Sequence, residues 1–269
     1  MAQIGKNLAI DKLKVRQSFS LACNTYDAAA GLQRIIADRM INAFNDCDGK
    51  INHVLDLGCG TGYLTKALQN SLTFDHLFAV DIALPMLVFC REKNLQRSNF
   101  SPICADAANL PFRSGSIDLI TANLVLQWLS DLHGALMEIK RLLKPCGQLL
   151  FSTFGPQTLQ ELKQAWAQVD QFSHVNEFYH LEAIRSFLLS CGFKDIVITS
   201  QNHVMHYDSV FALMRELKDL GAHNVTSGRN KQFTSPGKLN TMIAAYEAAN
   251  QSSAGIKATY EVILVSAKN

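Results

Sequence analysis

The 269-residue sequence has little net charge, few charged side chains and no long apolar run. Its net charge is +2, and 18% of its residues are charged against 48% hydrophobic. That balance excludes a chain built around nucleic-acid electrostatics, and the apolar share excludes wholesale disorder. No run approaches the ~20 apolar residues of a membrane span. The polar start has no long apolar h-region, so no signal peptide is expected. The seven cysteines, at 23, 47, 59, 90, 104, 146 and 191, include no CxxC pair. They read as free, mostly buried thiols of a reducing compartment, and a cytoplasmic location is expected. There is no internal repeat, no low-complexity tract, and no Ser/His/Asp or Cys/His constellation. His203 and His206 would point to opposite faces of a strand, so no metal pair is expected.

What is present has a clear order. Residues 8–45 read as helical, because Val15, Phe19, Ala22 and Tyr26, then Leu32, Ile35, Ile36 and Met40, recur at threes and fours. Gly31 breaks the run into two. Residues 1–45 hold six Lys/Arg (Lys6, Lys12, Lys14, Arg16, Arg34, Arg39) against three acids. This excess is either a solvated face or a patch for an acidic partner. Asp48-Gly49 signals a turn. Strands follow at HVLDLG (53–58), LFAVD (77–81), PICAD (102–106), SIDLITAN (116–123) and QLLFSTF (148–154). Helices are expected between them at 61–70, 84–93 and 131–143. Alternating strands and helices predict a parallel sheet with helices on both faces. Beyond it come helices at 158–169 and 181–191, a strand at 194–207, a helical insertion over 208–250, and a closing strand at 257–268. Trp128 and Trp166 read as packing residues, and His180 as a helix-entry residue.

The stretch Asp56-Leu57-Gly58-Cys59-Gly60-Thr61-Gly62 carries the chemistry. Its glycines read GxGxG, not the GxGxxG of dinucleotide sites. No Lys-Ser/Thr follows, so it is not a P-loop. Asp56 beside the loop would repel a pyrophosphate but attract an ammonium or sulfonium. S-adenosyl-L-methionine (SAM) carries both. Asp81, at the end of the second strand, can accept ribose hydroxyls. Met86 can lie on an adenine ring. Asp106, followed by Ala107, can accept an adenine amino group. Each acid alone also fits a cap or turn, but all lie at strand C-termini, where open α/β sheets bind ligands.

DLGCGTG, AVDIA, CADAANLPF and SIDLITANLVLQW, with KPCG before a strand, resemble the class I SAM-dependent methyltransferases. The resemblance implies a doubly wound, mostly parallel seven-stranded sheet with a helical lid. It implies cofactor contacts at Asp56, Gly58, Gly60, Gly62, Asp81, Ile82, Met86, Asp106, Ala107, Asn123 and Leu124. Cys146 stands where that family usually has a second glycine. A type I turn over Pro145-Cys146 is expected, needing no positive φ.

VRQSFSLACNTYDAAAGLQ, NLVLQWLSDL, LQELKQAWAQVD and LMRELKDLGAHNVTSGR (213–229) resemble, over nearly the whole chain, the malonyl-[acyl-carrier protein] O-methyltransferases of biotin synthesis. One domain over 1–269 is expected, with 8–45 as an N-terminal lid, 51–207 and 257–268 as the core sheet, and 208–250 as the insertion. The implied reaction is methyl ester formation on the free carboxylate of a malonyl thioester carried by an acidic carrier protein. S-adenosyl-L-homocysteine is the other product. No nucleic-acid or membrane partner is expected. A carboxylate is already a nucleophile at neutral pH, so no acid or base is required. Substrate contacts are expected from Arg229 first, then Lys218 and Arg215, which alternatively meet the acidic carrier protein, with Tyr26 closing over the methionine end and Gln127 at the strand edge. A small lipid-like or quinone-like acceptor, a SAM-binding scaffold without turnover, and a dinucleotide oxidoreductase stay open beside this reading.

Overall fold

The N-terminal apolar stripe folds as three helices in a computed structural model that describes residues 10–44, 50–94, 98–226, 234–252 and 255–269. They are α1 (Lys12–Ala22), α2 (Tyr26–Ala29) and α3 (Gly31–Asn42). The break at Gly31 is where the sequence places it. A further break comes earlier, because Thr25 turns its N–H and hydroxyl back onto the Ala22 carbonyl (2.9 and 3.1 Å). The turn expected at Asp48-Gly49 lies outside the described residues.

Alternation of strand and helix follows: β1 (His53–Leu57), α4 (Tyr63–Ser71), β2 (His76–Asp81), α5 (Leu84–Lys93), β3 (Phe100–Cys104) and β4 (Ile117–Asn123). A short 3-10 turn (Leu126–Trp128), α6 (Leu132–Leu142) and β5 (Leu143–Phe154) come next. The chain ends with α7 (Gln160–Ala167), α8 (Leu181–Ser190), β6 (Lys194–Tyr207), α9 (Val210–Asp219), α10 (Pro236–Asn250), β7 (Gln251–Ser252) and β8 (Gly255–Lys268). The sheet order is β3-β2-β1-β4-β5-β8-β6, with the two-residue β7 hydrogen-bonded to β8. Pairings from β3 to β5 are parallel, and those of β8 with β5 and β6 are antiparallel. The mostly parallel doubly wound sheet of the sequence reading is therefore present, and α9 and α10 interrupt its last two long strands.

Parallel strands covered on both faces read as continuous apolar runs. In β1, Val54 enters one core with α3, α4, α7 and α10, while Leu55 and Leu57 enter the other with α6 and α8. Some helix starts carry the side-chain caps that polar residues supply. Asp131 accepts from the Gly134 N–H (2.9 Å), and Ser209 from the Ala212 N–H (3.2 Å). Gly192, at φ +79, ends α8 in a Schellman turn. Among the described residues, no helix is long and apolar enough to cross a membrane.

Three expectations need correction. β3 ends at Cys104, short of Asp106, because Asp106 turns the chain: its side chain accepts from the Ala108 N–H at 3.0 Å and its carbonyl from the Asn109 N–H at 2.9 Å. α7 begins at Gln160 rather than Thr158, after Leu159 at φ +53. The turn at Pro145-Cys146 is not type I, since Cys146 has φ +64. A non-glycine residue there costs about 1–2 kcal/mol, of which the extra chain entropy of glycine would offset about 0.4–1. Cys146 is exposed, so no packing is at stake. Cys146→Gly is expected to raise stability by about 0.5–1 kcal/mol, read as a higher urea midpoint at unchanged slope.

Candidate active site

The glycine loop is shaped by what it must fit between. The Gly58 and Cys59 N–H groups both donate to the Val80 carbonyl (2.7 and 3.0 Å), tying the loop to the end of β2. Gly60 donates its N–H to Asp81 Oδ2 at 2.9 Å. All three glycines have positive φ: +68, +54 and +90. A Cβ on Gly58 would stand 2.2 Å from Val125 Cγ2, and one on Gly62 would stand 2.7 Å from Cys90 Sγ.

A cavity of about 740 Å³ opens over this loop, at the C-terminal ends of the parallel strands. Gly58 and Gly60 form part of its wall, with Asp81 and Ile82 after β2. Met86, almost fully buried, lines it from α5. Asp106 and Ala107 line it after β3, and Asn123 and Leu124 after β4. Nine of the eleven residues expected at a cofactor thus share one cavity. Asp81 already accepts backbone bonds at both oxygens, from Gly60 and from Ala83 (2.8 Å). Burial pushes its carboxyl up, and those bonds pull it back only in part. Leu124 is held at φ +52 by its N–H bonding Ser152 Oγ (2.9 Å). Such strain at a ligand wall persists only where neighbours enforce it.

Gly62 and Asp56 do not line this cavity. Gly62 is the αL residue that starts α4 against Cys90. Asp56 lies beneath the loop at 1% exposure, accepting the Thr65 hydroxyl (2.6 Å) and the Thr121 hydroxyl (3.3 Å). Burial pushes its carboxyl up to about 6 against these bonds. It faces a smaller, polar cavity of about 420 Å³. Gln33, Arg34 and Thr61 also line that cavity, and Gln33 Oε1 is buried with no hydrogen-bond partner. An orphaned acceptor beside a buried carboxyl that bonds no cation fits an ammonium group.

Helices α1–α3 roof both cavities. Tyr26 lines the two, and its ring edge would lie 3.9 Å from a Cβ on Gly60. Burial first, then Asp81 and Asp27, push its phenol far up, so it stays protonated. Asp27 clamps the roof down by accepting from Thr61 Oγ1 (2.5 Å) and Lys93 Nζ (2.6 Å). Asp106 is not free: Lys12 of α1 forms an ion pair with it. Burial raises that carboxyl, but the bonds from Lys12 and the Ala108 N–H outweigh it and hold it below the usual carboxylate range.

The expected substrate residues fare less well. Of them only Tyr26 reaches a cavity described here. Gln127 braces the turn instead, donating to the Leu124 carbonyl (2.7 Å) and accepting from Thr153 Oγ1 (3.3 Å). Arg215 and Lys218 are exposed on α9 and line no described cavity. Arg229 lies outside the described residues. Conversely, Lys12, Gln33, Val125 and Trp128 line the cavities without having been singled out for a ligand. The signals for two of them were weak ones: a basic excess for Lys12, and for Gln33 a polar residue inside the apolar stripe of α3.

Residues 55–151 match the family described as Methyltransferase domain. A relative in Methylovorus sp. (strain MP688), named malonyl-[acyl-carrier protein] O-methyltransferase, is 39% identical over 260 residues, 94% of this chain and 88% of its own. The chain belongs to the malonyl-[acyl-carrier protein] O-methyltransferase family. This methyltransferase uses S-adenosyl-L-methionine as its cofactor. The biotin biosynthesis bifunctional protein BioHC of Saccharophagus degradans is also 39% identical, over 94% of this chain and 46% of its own length. The YcgJ protein of Bacillus subtilis shares the fold, with a TM-score of 0.62 at 16% identity over 87% of this chain and 97% of its own.

Proposed function

We propose that this enzyme methylates the free carboxylate of a malonyl-[acyl-carrier protein], starting pimelate synthesis for biotin in the cytoplasm. The observation that carries the reading is the near full-length relation to malonyl-[acyl-carrier protein] O-methyltransferases. The site geometry supports it. SAM, when bound, supplies a methyl group on a sulfonium sulfur and is left as S-adenosyl-L-homocysteine. Asp81 accepts a ribose hydroxyl, since the backbone bonds from Gly60, Ala83 and Ile82 leave part of its acceptor capacity free. Met86 and Ile82 offer an apolar surface to an adenine, and Asp106 with Ala107 the edge for its amino group. Gln33 Oε1 and Asp56 receive the ammonium. Tyr26 shuts the junction of the two cavities against water.

The acceptor needs no base, because a malonyl carboxylate is ionised at neutral pH. Rate then comes from holding the reacting groups in line and from excluding water. The roof α1–α3, clamped through Asp27 and Lys12, supplies the exclusion. The positive side chains on α9 face outward, where they suit an acidic carrier protein.

Enzyme mixed with SAM and malonyl-carrier protein is expected to add one methylene, about 14 Da, to the thioester by intact-mass spectrometry. No gain there, with a gain on a small lipid-like or quinone-like acceptor, overturns the reading.

A further inference from the structure

Trp128 is a partition between two cavities. One is the cofactor cavity; the other, an open pocket of about 480 Å³, lies between the sheet and the helical insertion. The ring of Trp128 meets Phe19 of α1 edge-on, with centroids 5.3 Å apart, so the roof helix fixes the partition. Beyond it the walls are apolar: Phe154 and Tyr260 from the sheet, Leu162 from α7, Phe178, and Leu217 from α9.

The polar lining is sparse and neutral. Among the described residues no Lys, Arg, Asp or Glu side chain lines the cavity. Thr158 is spent on the Glu261 backbone, donating to its carbonyl (3.2 Å) and accepting its N–H (3.1 Å). His174 gives Nε2 to Asp170 (2.8 Å) and stacks flat on Trp166 at 3.7 Å. Asn224 is used at both ends, by Ser173 and Thr226. Asn176 differs. It is only 6% exposed, its Oδ1 accepts from the Val225 N–H (3.4 Å), and its Nδ2 donates to no group among the described residues. An amide N–H₂ on a cavity wall, donating to no other side chain or backbone group described, is a donor that a carbonyl can take.

Resting on the malonyl-thioester reading, we propose that this cavity takes the acceptor's uncharged, amide-bearing thioester arm. Asn176 Nδ2 donates to an arm carbonyl, and the acyl tip passes Trp128 to the cofactor cavity. Among the described residues no cation lines the walls, so they suit a neutral arm with apolar stretches and amides better than an anion. The charged tip is drawn past Trp128 by the positive charge of the methyl donor.

The test compares two acceptors with the same tip: malonyl-pantetheine, and the malonyl thioester of ethanethiol, which has no amide. Wild-type enzyme is expected to favour the pantetheine thioester in kcat/KM by tenfold or more. Asn176→Leu should shrink that preference about tenfold, the worth of one lost hydrogen bond, through KM rather than kcat. Ala222→Trp fills the cavity from the turn after α9. It should cut turnover of malonyl-pantetheine at least 100-fold while the SAM dissociation constant by calorimetry stays within threefold. A merely structural role would lower both acceptors together and leave their ratio alone. Equal use of the two thioesters by wild type, or a ratio unmoved in Asn176→Leu, overturns the proposal whatever the second variant does. Failure of wild type on every malonyl thioester instead overturns the function proposed above.

Discussion

Gly58→Ala is expected to weaken SAM binding by about 100-fold. Two costs combine. An L side chain at φ +68 costs about 1 kcal/mol. The new Cβ would also lie 2.2, 2.6 and 2.9 Å from the three nearest atoms of Val125. Val125 is β-branched and stiff at χ1, so it does not swing aside. Overpacking of this kind costs about 1–3 kcal/mol. Relief requires the glycine loop or the turn after β4 to move, and both are walls of the cofactor cavity. About 3 kcal/mol falling on the bound state is a factor of about 100. Val125→Ala added to Gly58→Ala removes the clash and leaves the backbone cost, so it should restore about tenfold. Gly115 is the control. It has φ +62 and nothing within 4 Å of a Cβ, so Gly115→Ala should lower the melting temperature and leave SAM affinity alone. Calorimetry on the three variants decides it; Gly58→Ala binding within threefold of wild type sinks the idea.

The same geometry shows why some of the site could be read in the sequence. Strands buried on both faces leave apolar runs, and a glycine that no Cβ could replace leaves its letter. Acids at or just past strand ends leave theirs, so Asp81 and Asp106 could be placed at one edge before any coordinates, although Asp106 proved to sit in the turn after β3. What could not be read depends on chain segments far apart in sequence. Lys12 meets Asp106 across 94 positions. Asn176, Leu217 and Tyr260 come together in one cavity from three separate regions. Gln127 misled because adjacency to Asn123 and Leu124 says nothing of direction once Leu124 takes positive φ. Arg215 and Lys218 could not be assigned to a cavity or to the surface from their motif alone, because on an amphipathic helix neighbouring letters face different ways; both are exposed. Cys146 misled because a type I and a left-handed turn share the same letters.

Asp56→Asn is expected to stabilise the free protein and impair it as a cofactor binder. The carboxyl is fully buried, and its rise from the ordinary 3.8 to about 6 reflects burial that the Thr65 and Thr121 hydroxyls only partly offset. A folded-state value above the unfolded one means that the native protein holds this proton more tightly. Stability from this group is therefore lost as pH rises from about 4 to about 6, and at pH 7.5 the bare charge costs about 3 kcal/mol. Asparagine keeps an acceptor oxygen for the Thr65 hydroxyl, turns its N–H₂ toward the Thr121 hydroxyl oxygen, which can accept, and removes the charge. The free protein should gain about 2 kcal/mol, or roughly 4–8 °C in melting temperature. Binding moves the other way, because a cation's attraction to a buried carboxylate is lost: about 2–3 kcal/mol, or 30–100-fold in SAM affinity at pH 7.5. The pH profile separates charge from shape. Wild-type affinity should fall as pH drops below about 6, where Asp56 takes up its proton, while the variant's affinity should be flat across that window. A variant that binds SAM as tightly as wild type at pH 7.5, or a wild-type profile flat from pH 7.5 to 5, would mean that the acid beneath the glycine loop only supports the fold.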